Sequence, residues 1–365
     1  MPSARHLRPG APDIVRALQR RQREVWPLRR RGADLGFAVV TDRSLPAEGH
    51  ARRLWRNAEA VFLPGVLAAQ LPPQRAAIRA TLAMFERLRQ GGRFLDELEA
   101  RLADDRELRY AGSTVDKDDP REIERVFVDA EADGTPVAQD LWAMLAWIAH
   151  DQSDRSLRIR FSAGADRVDD WLQTTDLTAG WVDRFAARAF RECAAVLDCA
   201  PLRAWLERLV DRPHRLSERI VYNNAPDGGA VFHHDAEPSQ LGVVFSQLEG
   251  HTAWLAIAKR RLAALLVQGG HAANQLAAMR ALDVGEAPAL WRVLNRDAAF
   301  TAELAARGAL FVLRAGDAIL LPSHGIDDVA WHSVLALGPR PSLAHSYGIF
   351  PRAADYPMVA DRGER

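Results

Sequence analysis

The chain has 365 residues, 48% of them hydrophobic, and its 48 Lys and Arg residues balance 48 Asp and Glu residues. Such a chain can bury a large core, and its composition is that of an ordinary soluble globular protein. It has no long uncharged apolar run, no apolar core of a secretory signal, and only two cysteines, which argues against a membrane span and against a disulfide framework. We therefore expect a cytoplasmic protein.

The first half of the chain has mainly helical patterns. Apolar residues recur at helical spacing from about Arg16 to Asp104, in a segment rich in Ala, Leu, Glu and Arg. The polar residues 111–124 predict a loop, and the run QDLWAMLAWIAHD, residues 139–151, predicts a buried helix. Residues 156–164 alternate between apolar and polar side chains, which predicts a strand. Helical patterns resume over residues 169–211.

Arginine supplies almost all of the positive charge, since lysine occurs only at Lys117 and Lys259. The densest basic cluster is Arg16–Arg31. Such a cluster can contact nucleic acid or an acidic surface. Here it has no aromatic platform for base stacking, and the whole chain is neutral. We therefore interpret it as the solvated face of a helix and expect no nucleic-acid partner.

After Pro213 the sequence changes to short β-rich runs separated by Gly and Pro. These runs cover residues 217–235, 241–258, 308–322, 328–337 and 341–351. Such spacing is typical of an antiparallel barrel or jelly roll. A helical insertion at residues 259–307 interrupts it.

We therefore predict an α+β fold. Residues 1–205 form a mainly helical N-terminal half, packed on a C-terminal double-stranded β-helix of the cupin or jelly-roll type at residues 206–365. The strand near 156–164 is a candidate further strand of this barrel. Because insertions on a rigid scaffold commonly carry specificity, we hypothesise that the helical half and the 259–307 insertion shape the substrate entrance.

Two histidines and an aspartate stand together in VFHHD, residues 231–235. Because side chains alternate along a strand, His233 and Asp235 share one face and His234 points away. His332, in the later strand VAWHSVLAL, is the candidate third ligand. Two imidazoles and one carboxylate on one side of a metal leave positions for a substrate and O2, as in non-haem Fe(II) oxygenases. The alternative is a polar turn and a core histidine without a metal.

These segments resemble the Fe(II)/2-oxoglutarate-dependent dioxygenase superfamily. The resemblance covers about Arg219 to Arg352 and rests on VFHHD, LGVVFSQLEGHTAWLAIAK, RAGDAILLP and AWHSVLALGPRPSLAHSYGIFP. The superfamily carries HxD/E on one strand of its β-helix and a distal histidine near the end of the barrel. Parts of the sequence also resemble the JmjC and cupin-like hydroxylase branch. The resemblance implies that His233, Asp235 and His332 bind Fe(II), with 2-oxoglutarate and O2 as co-substrates.

The resemblance also implies a cation for the far carboxylate of 2-oxoglutarate. In many members this cation is an Arg in an R-x-S motif about ten residues after the distal histidine. Arg340-Pro341-Ser342 follows His332 by eight residues. The JmjC-like branch often uses a lysine on the strand after HxD, and Thr252 lies in the equivalent neighbourhood here. The resemblance therefore favours Arg340 and Ser342, with Thr252 nearby.

Further co-substrate candidates precede and follow the HxD motif. The segment RIVYNNAPDGGAVFHHD resembles the strand whose Tyr or Asn commonly hydrogen-bonds the carboxylate of 2-oxoglutarate. This implies a role for Tyr222 and Asn224, which share one strand face. Arg219 and Ser346 are additional candidates. His345 is a candidate for supporting the metal ligands or contacting a substrate.

The resemblance implies an oxidoreductase, a dioxygenase of the hydroxylase type. Halogenating relatives replace the carboxylate ligand by a small residue, so the presence of Asp235 favours hydroxylation of an unactivated C–H bond. The substrate is a small molecule, an amino acid or a peptide, and the sequence does not fix the oligomeric state. One alternative is a metal-dependent cupin enzyme that does not use 2-oxoglutarate. Another is a non-catalytic barrel that binds zinc or a ligand.

Overall fold

The computed structural model describes residues 4–7, 25–40, 43–149, 152, 154–164, 176–237, 239–284 and 287–352. The strands are β1 (Ala4–Leu7), β2 (Val25–Arg30), β3 (Ala33–Val40), β4 (Val61–Leu63), β5 (Leu108–Thr114), β6 (Glu122–Ala132), β7 (Thr135–Trp147), β8 (Leu157–Ala163), β9 (His214–Asn224), β10 (Gly242–Glu249), β11 (His251–Ala258), β12 (Leu310–Arg314), β13 (Ala318–Pro322), β14 (Ala330–Leu337) and β15 (Ser342–Pro351).

The helices are α1 (Glu48–Arg56), α2 (Leu71–Arg89), α3 (Phe94–Leu102), α4 (Asp176–Ala189), α5 (Ala194–Leu197), α6 (Ala200–Leu209), α7 (Lys259–Gln268), α8 (Gln275–Val284), α9 (Pro288–Arg296) and α10 (Ala298–Ala306). Short 3-10 turns cover Ala68–Gln70 and Arg191–Cys193. None of the described helices is long and apolar enough to cross a membrane. The helical predictions for residues 16–24 and 169–175 lie outside the described residues.

Two sheets face each other in the C-terminal half. The larger has the order β4-β13-β10-β15-β9-β8-β7-β6-β5, and the smaller the order β12-β11-β14. Beside β14 lies the segment 228–233, whose backbone bonds to it through Val334 N and Ala230 O at 2.9 Å and through Ala336 N and Gly228 O at 2.8 Å. Four antiparallel strands, β13-β10-β15-β9, therefore face four others, an order compatible with a jelly roll.

Hydrophobic side chains fill the space between the sheets and cover both outer faces. The interior contains Phe245, Trp254, Leu321 and Val334. The outer face of the larger sheet packs on helices α2 to α6 through Phe85, Leu98, Phe185 and Leu206. The outer face of the smaller sheet packs on the predicted insertion, α7 to α10, through Leu262, Met279, Leu294 and Leu304. The barrel is thus enclosed between two helical layers, and the 259–307 insertion is helical as predicted.

The N-terminal half is less helical than the sequence analysis predicts. Residues 135–147 form strand β7 instead of a helix, and β5 and β6 occupy part of the predicted loop. Leu141–Ala146 is buried throughout, because helices cover one face and Phe127 packs on the other. A strand buried on both faces reads as a continuous apolar run, which periodicity cannot distinguish from a buried helix.

The strand predicted at residues 156–164 is confirmed as β8, with Leu157, Ile159 and Phe161 buried. It pairs with β9 and joins strands β5 to β7 to the barrel sheet. The larger sheet therefore takes strands from both sides of residue 205, and a domain boundary placed there would separate the hydrogen-bonded neighbours β8 and β9.

The basic cluster is not a helix where it is described. Val25–Arg30 and Ala33–Val40 form an antiparallel hairpin. Both turn residues, Arg31 and Gly32, have positive φ, 47° and 79°, as a type I′ hairpin turn requires. The side chain of Arg30 is only 3% exposed. The prediction of a solvated helix face is therefore wrong for this part of the cluster.

Arg30 joins the hairpin to the smaller sheet. Its guanidinium donates to Ser333 Oγ at 2.8 Å and to Asn295 Oδ1 at 3.1 Å. It also donates to the carbonyl of Val334 at 2.5 Å and to the carbonyl of Ala230. One buried cation thus links β2, β14, the segment 228–233 and helix α9. A buried charge is tolerated only when it is hydrogen-bonded in this way.

We expect Arg30→Met to lower the free energy of unfolding by about 3 kcal/mol, because it removes the donor of four buried hydrogen bonds while keeping the aliphatic length. Urea unfolding monitored by tryptophan fluorescence measures the change. The control is Arg29→Met, an exposed neighbour on the same strand, for which we expect a change within about 0.5 kcal/mol. Equal unfolding midpoints for the two variants would contradict the proposed linkage.

Candidate metal centre

The backbone brings the two candidate histidine ligands together. His233 N donates to His332 O at 2.9 Å, and His332 N donates to His233 O at 2.8 Å. Two residues that exchange both bonds stand directly opposite in an antiparallel pair, with side chains on the same face. The ring centroids are 4.2 Å apart. A single pair of backbone hydrogen bonds therefore fixes the relative position of both imidazoles.

Asp235 completes the group two residues along the same segment. Its Oδ1 lies 3.4 Å from His233 Nε2, and its Oδ2 lies 3.4 Å from His332 Nε2. One ligand atom from each residue lies within 4.8 Å of the other two. Ligand atoms bound to one divalent ion at about 2.1 Å are themselves about 3 Å apart, so the observed spacing suits a shared metal. The structure thus brings together the three residues that the sequence predicts.

The charges of the group fit metal binding. Burial raises the pKa of the Asp235 carboxyl, but His332 and His233 lower it more and hold it well below its usual range. Burial and the neighbouring His233 lower the pKa of His332 to about 3. Burial lowers the pKa of His233, but Asp235 raises it more, so it lies above its ordinary value. Asp235 is therefore ionised and His332 neutral near pH 7, the forms in which carboxylate and imidazole bind metals.

Neighbouring groups orient the imidazoles. The carbonyl of Val231 accepts a hydrogen bond from His233 Nδ1 at 2.7 Å. In the neutral imidazole Nδ1 therefore carries the proton, which leaves Nε2, on the side of Asp235 and His332, as the nitrogen that can bind a metal. The indole of Trp254 stacks on His332, with centroids 5.4 Å apart and an interplanar angle of 22°. His234 points the other way, as predicted, and contacts Trp331.

Two cavities meet at His233 and Asp235, and His332 lines only the inner one. The inner cavity, between the sheets, has a volume of about 20 Å³. Apart from the metal-ligand candidates it is lined by Ile148, Tyr222, Asn224, Ala230, Val243, Phe245, Trp254, Leu321, Val334 and Ser346. The outer cavity has a volume of about 140 Å³. It is lined by Arg158, Arg160, Ile220, Tyr222, Glu237, Gln240, Val243, Ser346 and Gly348. None of the described insertion residues lines either cavity.

Tyr222, Asn224 and Ser346 therefore lie at the candidate site, whereas two other predicted co-substrate residues do not line the cavities. Thr252 is buried and donates to Gln247 Oε1 at 2.7 Å. Ser342 is buried beside Asn224 on the neighbouring strand β9. Tyr222 and Asn224 occupy the same face of β9, and Tyr222 lines both cavities.

The structure places Arg340, the predicted partner of the co-substrate carboxylate, away from the candidate site. Arg340 is exposed in the turn between β14 and β15 and lines neither cavity. His332 lies near the start of β14, and the five residues to Leu337 at its end span about 17 Å of strand. The R-x-S motif is defined by the number of residues after the distal histidine. Whether its arginine reaches the site depends on where the strand ends, and here the turn lies at the far end of β14.

Two arginines of the site were not among the predicted site residues. Arg158 and Arg160 lie on β8, on the face opposite Leu157, Ile159 and Phe161. The sequence analysis predicts this strand, and two arginines on one strand face are ordinarily solvent-exposed. The register that pairs Arg158 with Tyr222 brings them to the outer cavity instead, and this pairing has no signal in the sequence.

A second group of titratable side chains lies behind β15 and is separate from the site. Cys193 Sγ is 3.4 Å from His345 Nδ1, and Glu192 Oε1 is 3.5 Å from His345 Nε2. Arg219 packs over the ring of Tyr347 and pairs with Asp183 at 3.1 Å. The outward-facing His345 and Tyr347 alternate along β15 with Ser346, which faces the cavities. Arg219 and His345 line neither of the two cavities at the candidate metal centre.

No family model matches the chain, and none of the curated proteins matches it. The solved structures similar to it include named 2-oxoglutarate–Fe(II) oxygenases. One is an oxidoreductase of the 2OG-Fe(II) oxygenase family from Burkholderia pseudomallei, with 11% identity, a TM-score of 0.33, and coverage of 85% of this chain and 93% of that one. Another is the non-heme alpha-ketoglutarate-dependent epimerase SnoN from nogalamycin biosynthesis, with 14% identity, a TM-score of 0.33, and coverage of 87% and 91%.

The Escherichia coli ribosomal oxygenase YcfD is 15% identical, with a TM-score of 0.25; the match covers 70% of this chain and 44% of that chain. At such identities and TM-scores the likeness carries no argument about function.

We expect Asp235→Ala and His332→Ala each to weaken Fe(II) binding by about 100-fold or more, because each removes one of three ligands. Anaerobic equilibrium dialysis of the metal-free protein with Fe(II) measures the affinity. His234→Ala is the matched control, since this neighbouring imidazole points toward Trp331. Unchanged binding in both ligand variants would show that the three residues form a polar turn without a metal.

The cluster behind β15 predicts a pH-dependent stability. Burial lowers the pKa of His345, but Cys193 and Glu192 raise it more, to about 9. Protonated His345 therefore contributes full stability below its unfolded pKa of about 6.5, and the contribution is lost as the pH rises to about 9. We expect His345→Asn to cost about 2 kcal/mol at pH 6 and much less at pH 9.5, measured by urea unfolding. A constant difference at both pH values would contradict this, and exposed His271→Asn is the control.

Proposed function

We propose that the protein is an Fe(II)/2-oxoglutarate-dependent oxygenase that hydroxylates an unactivated C–H bond. The substrate is a small molecule, an amino acid or a peptide. The observation that carries the proposal is the convergence of His233, Asp235 and His332, whose ligand atoms lie within 4.8 Å of one another on one side of the barrel. Two imidazoles and one carboxylate that leave the other side of the metal accessible are typical of non-haem Fe(II) oxygenases.

The donor set and its surroundings fit iron. When bound, Fe(II) with 2-oxoglutarate and O2 supplies oxidation of a C–H bond coupled to decarboxylation of the keto acid. His233, Asp235 and His332 would hold the metal. Trp254 packs against His332, and the apolar side chains of Val243 and Phe245 wall the inner cavity and limit the access of water.

Two polar side chains next to the ligands can orient a keto acid. Burial and the nearby charge of Asp235 raise the pKa of Tyr222 to about 12, so its hydroxyl keeps its proton at neutral pH and can donate a hydrogen bond. Asn224 lies on the same strand face and offers an amide donor. Both side chains line the inner cavity. They support the part of the proposal that concerns 2-oxoglutarate.

A metal-dependent cupin enzyme without 2-oxoglutarate is the second candidate. The position of Arg340 favours it, because this arginine lies at the far end of β14 and does not line the site. None of the described residues that line the inner cavity is Arg or Lys. The metal can bind one carboxylate of 2-oxoglutarate, so a cation for the far carboxylate would have to lie outside the inner cavity.

Anaerobic absorption spectroscopy of the metal-free protein separates these candidates. We expect a new visible charge-transfer band that requires both Fe(II) and 2-oxoglutarate, because a chelating keto acid on Fe(II) produces one. Asp235→Ala should abolish the band, and exposed Arg340→Met should leave it unchanged. Zn(II) in place of Fe(II) should give no band.

Each other outcome has a definite meaning. If Fe(II) binds and 2-oxoglutarate changes nothing, the enzyme without 2-oxoglutarate is the better assignment. If only Zn(II) binds tightly and no O2 is consumed, the barrel is non-catalytic. A band weakened by Arg340→Met would show that the turn between β14 and β15 closes onto the site when ligand binds.

A further inference from the structure

The outer cavity has a cationic wall formed by strand β8. Arg158 stands opposite Tyr222 in the β8–β9 pairing, and Arg160 stands opposite Ile220. Both arginines line the cavity together with His233 and Asp235. Two guanidinium groups are thus held beside the metal centre by the hydrogen-bonded frame of the larger sheet, which positions them more firmly than a loop would.

The described part of the protein does not provide hydrogen-bond acceptors for all the N–H groups of the Arg158 guanidinium. Its side chain is half-buried, and burial lowers the pKa of its guanidinium. Its Nε has no hydrogen-bond partner among the described residues. At neutral pH the carboxylate of Asp235 favours its charge, and Arg121 and Arg160 oppose it. A buried donor without a partner costs free energy, and an anionic ligand in the cavity would remove that cost.

The two cavities differ in what they can accept. The inner cavity, of about 20 Å³, has neutral walls apart from the metal ligands. Apart from a group bound directly to the metal, a carboxylate placed there would have no Arg or Lys beside it, so its burial would be unfavourable. The outer cavity, of about 140 Å³, offers two planar guanidinium groups, and the carboxylates of Asp235 and Glu237 also line it. Arginine matches the two oxygens of a carboxylate with two parallel N–H donors.

We propose that Arg158, with Arg160 beside it, forms a carboxylate-binding subsite in the outer cavity, next to the metal centre. The inference rests on the proposed function, which makes this cavity the place where ligands meet the metal. The carboxylate is either the distal one of 2-oxoglutarate or one carried by the substrate. In both cases the site binds a carboxylic acid. If the carboxylate is carried by the substrate, the substrate itself is a carboxylic acid.

The first arm of the test compares two keto acids on the Fe(II)-loaded full chain, followed by visible absorption without O2. The compounds are 2-oxoglutarate and 2-oxopentanoate, which lacks the distal carboxylate. If that carboxylate binds at Arg158, Arg158→Met raises the Kd of 2-oxoglutarate by about 10- to 100-fold and leaves that of 2-oxopentanoate within about twofold. Arg109→Met, an exposed arginine on β5 at the far edge of the same sheet, should change neither.

The second arm tests the substrate as the source. Saturation-transfer NMR on the Zn(II)-loaded protein with 2-oxoglutarate bound compares butyrate with its neutral analogue butyramide. If the substrate carboxylate binds at Arg158, butyrate gives a signal, butyramide gives none, and Arg158→Met removes the butyrate signal without changing the affinity for 2-oxoglutarate. Arg158→Lys keeps the charge without the planar fork, so it should restore part of the binding lost in Arg158→Met.

The proposal is overturned if Arg158→Met folds, as judged by its thermal unfolding, and changes neither the discrimination between the keto acids nor the butyrate signal. If Arg158→Met does not fold, Arg158→Lys and Arg160→Met provide the same comparison, and an absence of any effect in both overturns the proposal.

The butyrate experiment is repeated on the metal-free protein. An Arg158-dependent signal there, with no keto-acid band in the wild type, supports the subsite and rejects the proposed oxygenase.

Discussion

The candidate site depends on one close pairing, that of the segment 228–233 with strand β14. The pairing places His233 opposite His332, and the carboxylate of Asp235 then reaches both imidazoles. Gly229 makes the approach possible, because a Cβ at this position would collide with the carbonyl of Val334, and its φ of 136° is one that other residues rarely adopt. The Gly-Gly pair before VFHHD is therefore a requirement of the site and not only a turn.

The same pairing is held from its outer side. Ser333 follows His332 and so points to the opposite face of β14, where it accepts a hydrogen bond from Arg30. Arg30 also bonds the carbonyls of Ala230 and Val334, one on each side of the pair. A cation from the N-terminal hairpin thus fixes the two strands that carry the imidazoles. Sequence-distant residues determine the geometry of the metal centre in this way.

How well each element could be predicted from the sequence depends on which of its faces are buried by other elements. The barrel strands from β9 to β15 and the helical insertion carry clear Gly and Pro boundaries, and the alternation in VFHHD places His233 and Asp235 together. Strand β7 is buried on both faces and shows no alternation, so its sequence pattern predicts a helix. The R-x-S motif counts residues along the chain, whereas the positions of Arg340 and Arg158 relative to the site depend on the register of the sheet. Register is set by tertiary packing, which local patterns do not contain.

The proposed carboxylate subsite would give the N-terminal strands a function in ligand binding. Phe245 and Trp254 fill the barrel interior near the ligands, and its cavity has no arginine or lysine among the described residues. The cations stand instead on β8, outside the eight strands of the barrel. If the proposed subsite binds a carboxylate, the negative group of the ligand lies on the side where the sheet continues past β9. Strands β5 to β8 would then be part of the binding site as well as a support for the barrel, because β8 carries the arginines and the strands beyond it hold β8 in register.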